Sequence, residues 1–123
     1  VKNRAKQIIA LVKKHFPGLR LAEKRIRRAK KTTVIRLRLV EDPVAIELRE
    51  VWSGGSLIGY GYQLLLGNKP LLRYDNAPHH PEVETHPHHK HVGNRVEPLH
   101  DHSLEAFLEE ARQLLEQQSQ GSQ

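Results

Sequence analysis

Between Thr32 and Asp75 apolar residues recur at every second position, and the runs are separated by short clusters of turn residues. Thr33, Ile35, Leu37 and Leu39 alternate with Val34, Arg36, Arg38 and Val40; after Glu41-Asp42-Pro43, Val44, Ile46 and Leu48 alternate with Glu47 and Arg49. Ser53-Gly54-Gly55 separates this run from Ser56–Leu66, and Gly67-Asn68-Lys69 separates that from a short run over Pro70–Asp75. A period of two is that of a strand with one buried face. Connections this short join only antiparallel neighbours, because a parallel crossover needs a dozen or more residues. The chain is therefore built on an antiparallel meander. A weaker strand over Leu21–Arg28 brings the expected number to about five, and Pro70 suits an edge or a strand end because it lacks an N–H.

The pattern is helical at both ends. Over residues 2–16, Ala5, Ile8, Ile9, Val12 and Phe16 fall at three- and four-residue spacing until Pro17-Gly18 stops them. Ser103 caps a second helix expected to run to about Gln117, with Leu104, Phe107, Leu108, Ala111, Leu114 and Leu115 as its apolar stripe. The fold class is α+β: one domain over 1–117 and a polar tail over 118–123. At 123 residues without cysteine, the chain is the size of one domain and excludes disulfides, thiolate zinc sites and cysteine nucleophiles. No apolar run is long enough for a membrane helix, and no basic-then-apolar leader suggests export, so a cytoplasmic protein is expected.

Charge is unevenly distributed. Residues 1–40 hold fourteen Lys/Arg against one acid, Glu23, or +13; residues 41–123 hold six against thirteen, or −7. Such a basic half is the electrostatic footprint of a nucleic-acid binder. Arg36 and Arg38 leave one face of their strand, and Arg25, Arg27 and Arg49 on neighbouring strands join them if that face is open; Arg73 lies further along. Lys2, Arg4, Lys6, Lys13 and Lys14 read instead as a solvated helix face. Tyr60, Tyr62 and Tyr74 could stack on bases, but tyrosines on an apolar strand face are more often core.

Histidine is as uneven: eight of nine lie between His79 and His102, in an aperiodic stretch over 76–102 that also holds Pro78, Pro81, Pro87 and Pro98. A loop this long in a small domain is commonly functional. Metal-free RNA cleavage needs a base for the 2′-hydroxyl, an acid for the leaving oxygen and a cation for the phosphorane; imidazoles serve the first two and Lys or Arg the third. His79, His80, His88, His89 and His91 are candidates for acid and base, Lys90 or Arg73 for the cation, and Asp75 or Glu82 for orienting an imidazole. The same imidazoles, His88, His89 and His91 foremost, could instead hold zinc, nickel or copper. Asp75 and Glu82 could hold the magnesium or manganese of a metal-dependent nuclease or nucleotidyltransferase. Singly, each histidine is better explained by local turn structure, and His100 and His102 are assigned to it; the density within 24 residues is not explained that way.

The segment Arg73-Tyr74-Asp75-Asn76-Ala77-Pro78-His79-His80-Pro81-Glu82, then Thr85 and Pro87-His88-His89-Lys90-His91, then Val96-Glu97-Pro98 before an acidic, leucine-rich helix, resembles the signature of the TumE family of toxins from two-component toxin-antitoxin modules. The residue-level likeness runs over about residues 71–111; before it only the architecture is similar. His86 stands where the family has an aromatic, usually Phe, so it is not carried as a site residue. The resemblance implies a small growth-inhibiting toxin directed at RNA, a ribonuclease on the acid-base reading and with no cofactor expected, although a divalent metal fits the histidines. It also implies a cognate DNA-binding antitoxin, in a toxin-antitoxin hetero-oligomer or beside a toxin homodimer. A non-enzymatic toxin that sequesters RNA through the basic half is the remaining alternative.

Overall fold

A computed structural model describes residues 1–121 of the chain. Helix α1 (Arg4–His15) buries Ala5, Ile8 and Val12 and places Lys13, Lys14 and His15 in its last turn, where cations complement the carbonyl end of the helix dipole. Pro17-Gly18 turns the chain into β1 (Arg20–Ala29). There follow β2 (Thr32–Glu41), β3 (Val44–Ser53), β4 (Ser56–Leu66), β5 (Lys69–Asp75), β6 (His89–Val92), β7 (Arg95–Pro98) and α2 (Leu104–Gly121). The strands form one antiparallel sheet in sequence order, β1 to β7.

Two-residue turns set the register. Gly54-Gly55 joins β3 to β4 and Gly67-Asn68 joins β4 to β5, all four residues with positive φ, as the primed hairpin turns require. Pro70 takes the strand-end position that its missing N–H suits, ahead of the part of β5 that pairs with β6. It occupies the second position of β5 beside an irregularity between Leu64 and Leu65, where the ladder does not require its missing N–H.

The sheet has two unlike faces. Ile35, Leu37, Leu39, Ile46, Leu48, Tyr60, Tyr62, Leu64, Leu72 and Tyr74 form one core with Ile8 and Val12 of α1 and Phe107, Leu108 and Ala111 of α2. Phe107 is fully buried between Tyr62, 5.7 Å away, and the edge of Tyr74, 5.3 Å away. The tyrosines are thus core residues and are closed to bases. Among them sits a buried carboxylate, Glu50, which accepts from Arg4 (2.8 Å to each oxygen), Tyr62 (2.7 Å) and Trp52 (2.9 Å). Burial pushes its carboxyl upward, but the combined donors outweigh this and hold it below the ordinary range. Helix α2 starts as expected, with the Ala106 N–H donating to Ser103 Oγ at 3.1 Å.

The sequence reading needs two corrections here. The sheet has seven strands rather than about five, because the second half of the supposed loop over 76–102 is a hairpin, β6 and β7, turning at Gly93-Asn94. The last helix passes Gln117 and is assigned through Gly121, taking in part of the supposed tail; residues 122 and 123 lie outside the described residues. No helix among the described residues is long and apolar enough to cross a membrane.

Candidate nucleic-acid interface and histidine centre

The helices cover only one face of the sheet, and the opposite face carries a trough of about 630 Å³. Alternation along the strands brings Arg25 and Arg27 from β1, Arg36 and Arg38 from β2, Arg49 from β3 and Arg73 from β5 to its walls. These are the six arginines singled out in the sequence. Three of the six pair with acids: Arg73 meets Asp75 at 2.9 Å, Arg38 meets Glu47 at 3.2 Å and Arg25 meets Glu23 at 3.4 Å. Arg36 and Arg49 are exposed, stand opposite each other across β2 and β3, and form no ion pair among the described residues.

The trough ends at β5 and β6. Asp75, the last residue of β5, is buried and binds in three directions: Oδ2 accepts from Arg73 Nε at 2.9 Å, Oδ1 accepts from the Ala77 N–H at 3.0 Å, and His89 Nε2 lies 3.1 Å from Oδ1. His89 is the register partner of Asp75 and is 2% exposed. Its Nδ1 lies 3.0 Å from the Pro87 carbonyl, which can only accept, so Nδ1 carries the hydrogen. His91 stands two residues along β6 on the same face, with Nε2 3.8 Å from Asp75 Oδ2. Burial, with help from His89, His80 and Arg73, outweighs the pull of Asp75 and holds the His91 imidazole below its ordinary value. His80 comes from the loop, its ring 4.8 Å from that of His89 and 5.5 Å from that of His91, and its Nδ1 meets Glu82 at 3.1 Å.

The other sequence candidates are elsewhere. Lys90 lies between His89 and His91 in β6, so strand alternation turns it to the helix face, where Nζ binds both oxygens of Glu110 at 3.1 and 3.0 Å. This pairing sets Lys90 apart from Arg73, the other candidate cation, which lines the trough and bonds Asp75 through Nε. His88 also leaves the cluster: Nδ1 bonds the Tyr60 hydroxyl at 2.9 Å and the ring lies flat on His102, centroids 3.7 Å apart and planes 3° off parallel. Burial first, then His102 and His89, lowers the pKa of His88. The metal set suggested by the sequence, His88, His89 and His91, is therefore replaced by His80, His89 and His91, whose ligand atoms lie within 4.8 Å of one another. His79 is exposed in the turn after β5, its N–H donating to the Ala77 carbonyl at 2.9 Å, and Glu82 is an exposed rim residue. His100 faces Glu84 at 3.8 Å, both well exposed.

Three supporting residues escape a search for titratable groups. Gly61 lies under the Arg73 guanidinium so closely that a Cβ there would stand 2.7 Å from Nη2. Asn76 fastens the start of the loop to β4, donating to the Ile58 carbonyl at 3.1 Å and accepting from the Tyr60 N–H at 3.0 Å. Thr85 Oγ1 donates to the His88 carbonyl at 2.6 Å and accepts from the Leu99 N–H at 2.8 Å, tying the loop to the end of the sheet. The glycines facing Tyr60 and Tyr62 in the β4 pattern were the available signal for the first.

No curated protein and no solved structure matches the chain. The family model described as toxin TumE matches residues 10–118, most of the sequence and all of the histidine centre, and the chain belongs to the TumE toxin family.

Proposed function

We propose that this toxin binds single-stranded RNA along the open face of its sheet and cleaves it at the histidine centre. As a member of a toxin family it has a cognate antitoxin as its implied partner. The observation that carries the reading is one cross-strand row, Arg25–Arg36–Arg49–Gly61–Asp75–His89, which leads from the cationic trough into the cluster without a break. A backbone held by the arginines brings a phosphate to Arg73, with His80 and His91 on the accessible side and His89 and Asp75 buried behind them. His80 and His91 exchange protons with the 2′-hydroxyl and the leaving 5′-oxygen, while the Arg73 guanidinium neutralises the phosphorane. His89, with Nδ1 engaged by the Pro87 carbonyl and Nε2 by Asp75, is a positioning residue.

The test is cleavage of end-labelled RNA by purified protein in chelator, beside growth arrest on expression. Parent protein should cut; His91→Ala should bind RNA but cut about 10²- to 10⁴-fold more slowly, the range of a lost acid-base group. Arg36→Glu/Arg49→Glu should neither bind nor cut. RNA bound by the folded parent but left intact would replace cleavage with sequestration.

A further inference from the structure

We infer that His80, His89 and His91 form a binding site for a single first-row transition ion of the zinc class, and that the ion silences the centre. The site itself does not depend on the RNA-cleavage reading; the silencing does. In two of the three imidazoles the ring nitrogen away from the ion is held by an oxygen, as in most metal-binding histidines: Nδ1 of His89 by the Pro87 carbonyl at 3.0 Å and Nδ1 of His80 by the Glu82 carboxylate at 3.1 Å. Each oxygen accepts the Nδ1 hydrogen, so Nε2 is the ring atom that can take an ion.

Nε2 of His89 lies 3.1 Å from Asp75 Oδ1, with both groups almost wholly buried, a contact that calls for a positive charge between them, which either a proton on the ring or a metal ion supplies. The separation is close to the edge of a zinc coordination tetrahedron, about 3.3 Å for bonds of ~2.0–2.1 Å. The three imidazole ligand atoms lie within 4.8 Å of one another, so small side-chain rotations bring them to an ion, with Asp75 as a fourth ligand or as its counter-charge. Arg73 opposes a cation here, but it is already paired with Oδ2 of the same carboxylate. Imidazole donors favour zinc, cobalt, nickel or copper over magnesium. An ion on His80 and His91 takes the lone pairs that proton exchange requires.

The full chain, stripped with chelator, is titrated with Zn²⁺ by calorimetry and with Co²⁺ by visible absorption. The expected result is about one ion per chain, with Co²⁺ bands of a low-coordinate nitrogen site and a raised melting temperature. His80→Ala and His91→Ala should each weaken binding at least tenfold while remaining folded by circular dichroism, and His88→Gln should leave it unchanged. No ion uptake, or uptake indifferent to His80 and His91, overturns the site. Cleavage assayed on the same samples should fall on Zn²⁺ addition and return with chelator. If zinc binds and cleavage rises, the site stands and the silencing and the acid-base reading both fall. If zinc binds and cleavage is unchanged, the histidine centre is not where RNA is cut.

Discussion

Arg73 lies across Gly61, its guanidinium where any larger residue would place a side chain, and from there it reaches Asp75 Oδ2 at 2.9 Å. The glycine gives the arginine a flat bed at the junction between trough and histidine centre. Gly61→Ala should push the guanidinium aside, and because the obstructing atoms belong to a flexible side chain the fold should survive. Melting should change little while RNA affinity and cleavage both fall. Parent-like cleavage in this variant would mean that the position of Arg73 has no functional weight.

Arg36 and Arg49 are the exposed pair at the centre of the trough. On single-stranded nucleic acid each phosphate contact contributes about 0.7 to the slope of log affinity against log salt. Arg36→Ala/Arg49→Ala should lower that slope by roughly 1.4 if both contact phosphate, with a loss of affinity shared by all RNA sequences. Salt titrations of fluorescent RNA would measure it, and an unchanged slope would remove these two residues from the interface.

Glu50 should set the acid limit of stability. Its folded-state pKa is depressed, so its contribution is fully present above the unfolded value, about 4.3, and is lost as pH falls through the lower folded value. Glu50→Gln leaves Arg4 facing a neutral amide and should cost about 3 kcal/mol or more at pH 7, the range for a broken buried ion pair. The gap between variant and parent should close on acidification as the parent carboxylate takes up its proton. Denaturant melts at neutral and acid pH would show a constant gap if Glu50 were not the group responsible.

Phe107 joins α2 to the sheet through Tyr62 and Tyr74. Phe107→Ala leaves a cavity in a fully buried site and should cost about 3–5 kcal/mol. Chemical denaturation gives the value; a loss below about 1 kcal/mol would show that α2 can collapse onto the sheet.

The strands legible in the sequence are those with one apolar face, β2 to β5. Strand β1 reads weakly because nine of its ten residues are exposed, so burial imposes no alternation on it. Strands β6 and β7 are hidden for another reason: in His-Lys-His-Val and Arg-Val-Glu-Pro the positions turned to the two faces are mostly polar. That omission carried into the site. Once His89–Val92 is known to be a strand, His89 and His91 must share a face and Lys90 must take the other, which separates three residues that looked equivalent in a loop. The pairing of His80 with them comes from the path of the loop and has no local signal. The arginines were legible because each sits on a strand whose period is clear or, for β1, whose register follows from β2.

A sheet whose strands follow sequence order is also a ruler. From Arg25 on β1 to His89 on β6 the cross-strand row passes five inter-strand steps, and at ~4.8 Å per step that is about 24 Å. A mononucleotide cannot touch both ends of such a distance, whereas an extended strand of several nucleotides can. If RNA lies along this row as proposed, oligonucleotides too short to reach β1 should be held poorly at the histidine centre, and longer ones should gain affinity until the strip is filled.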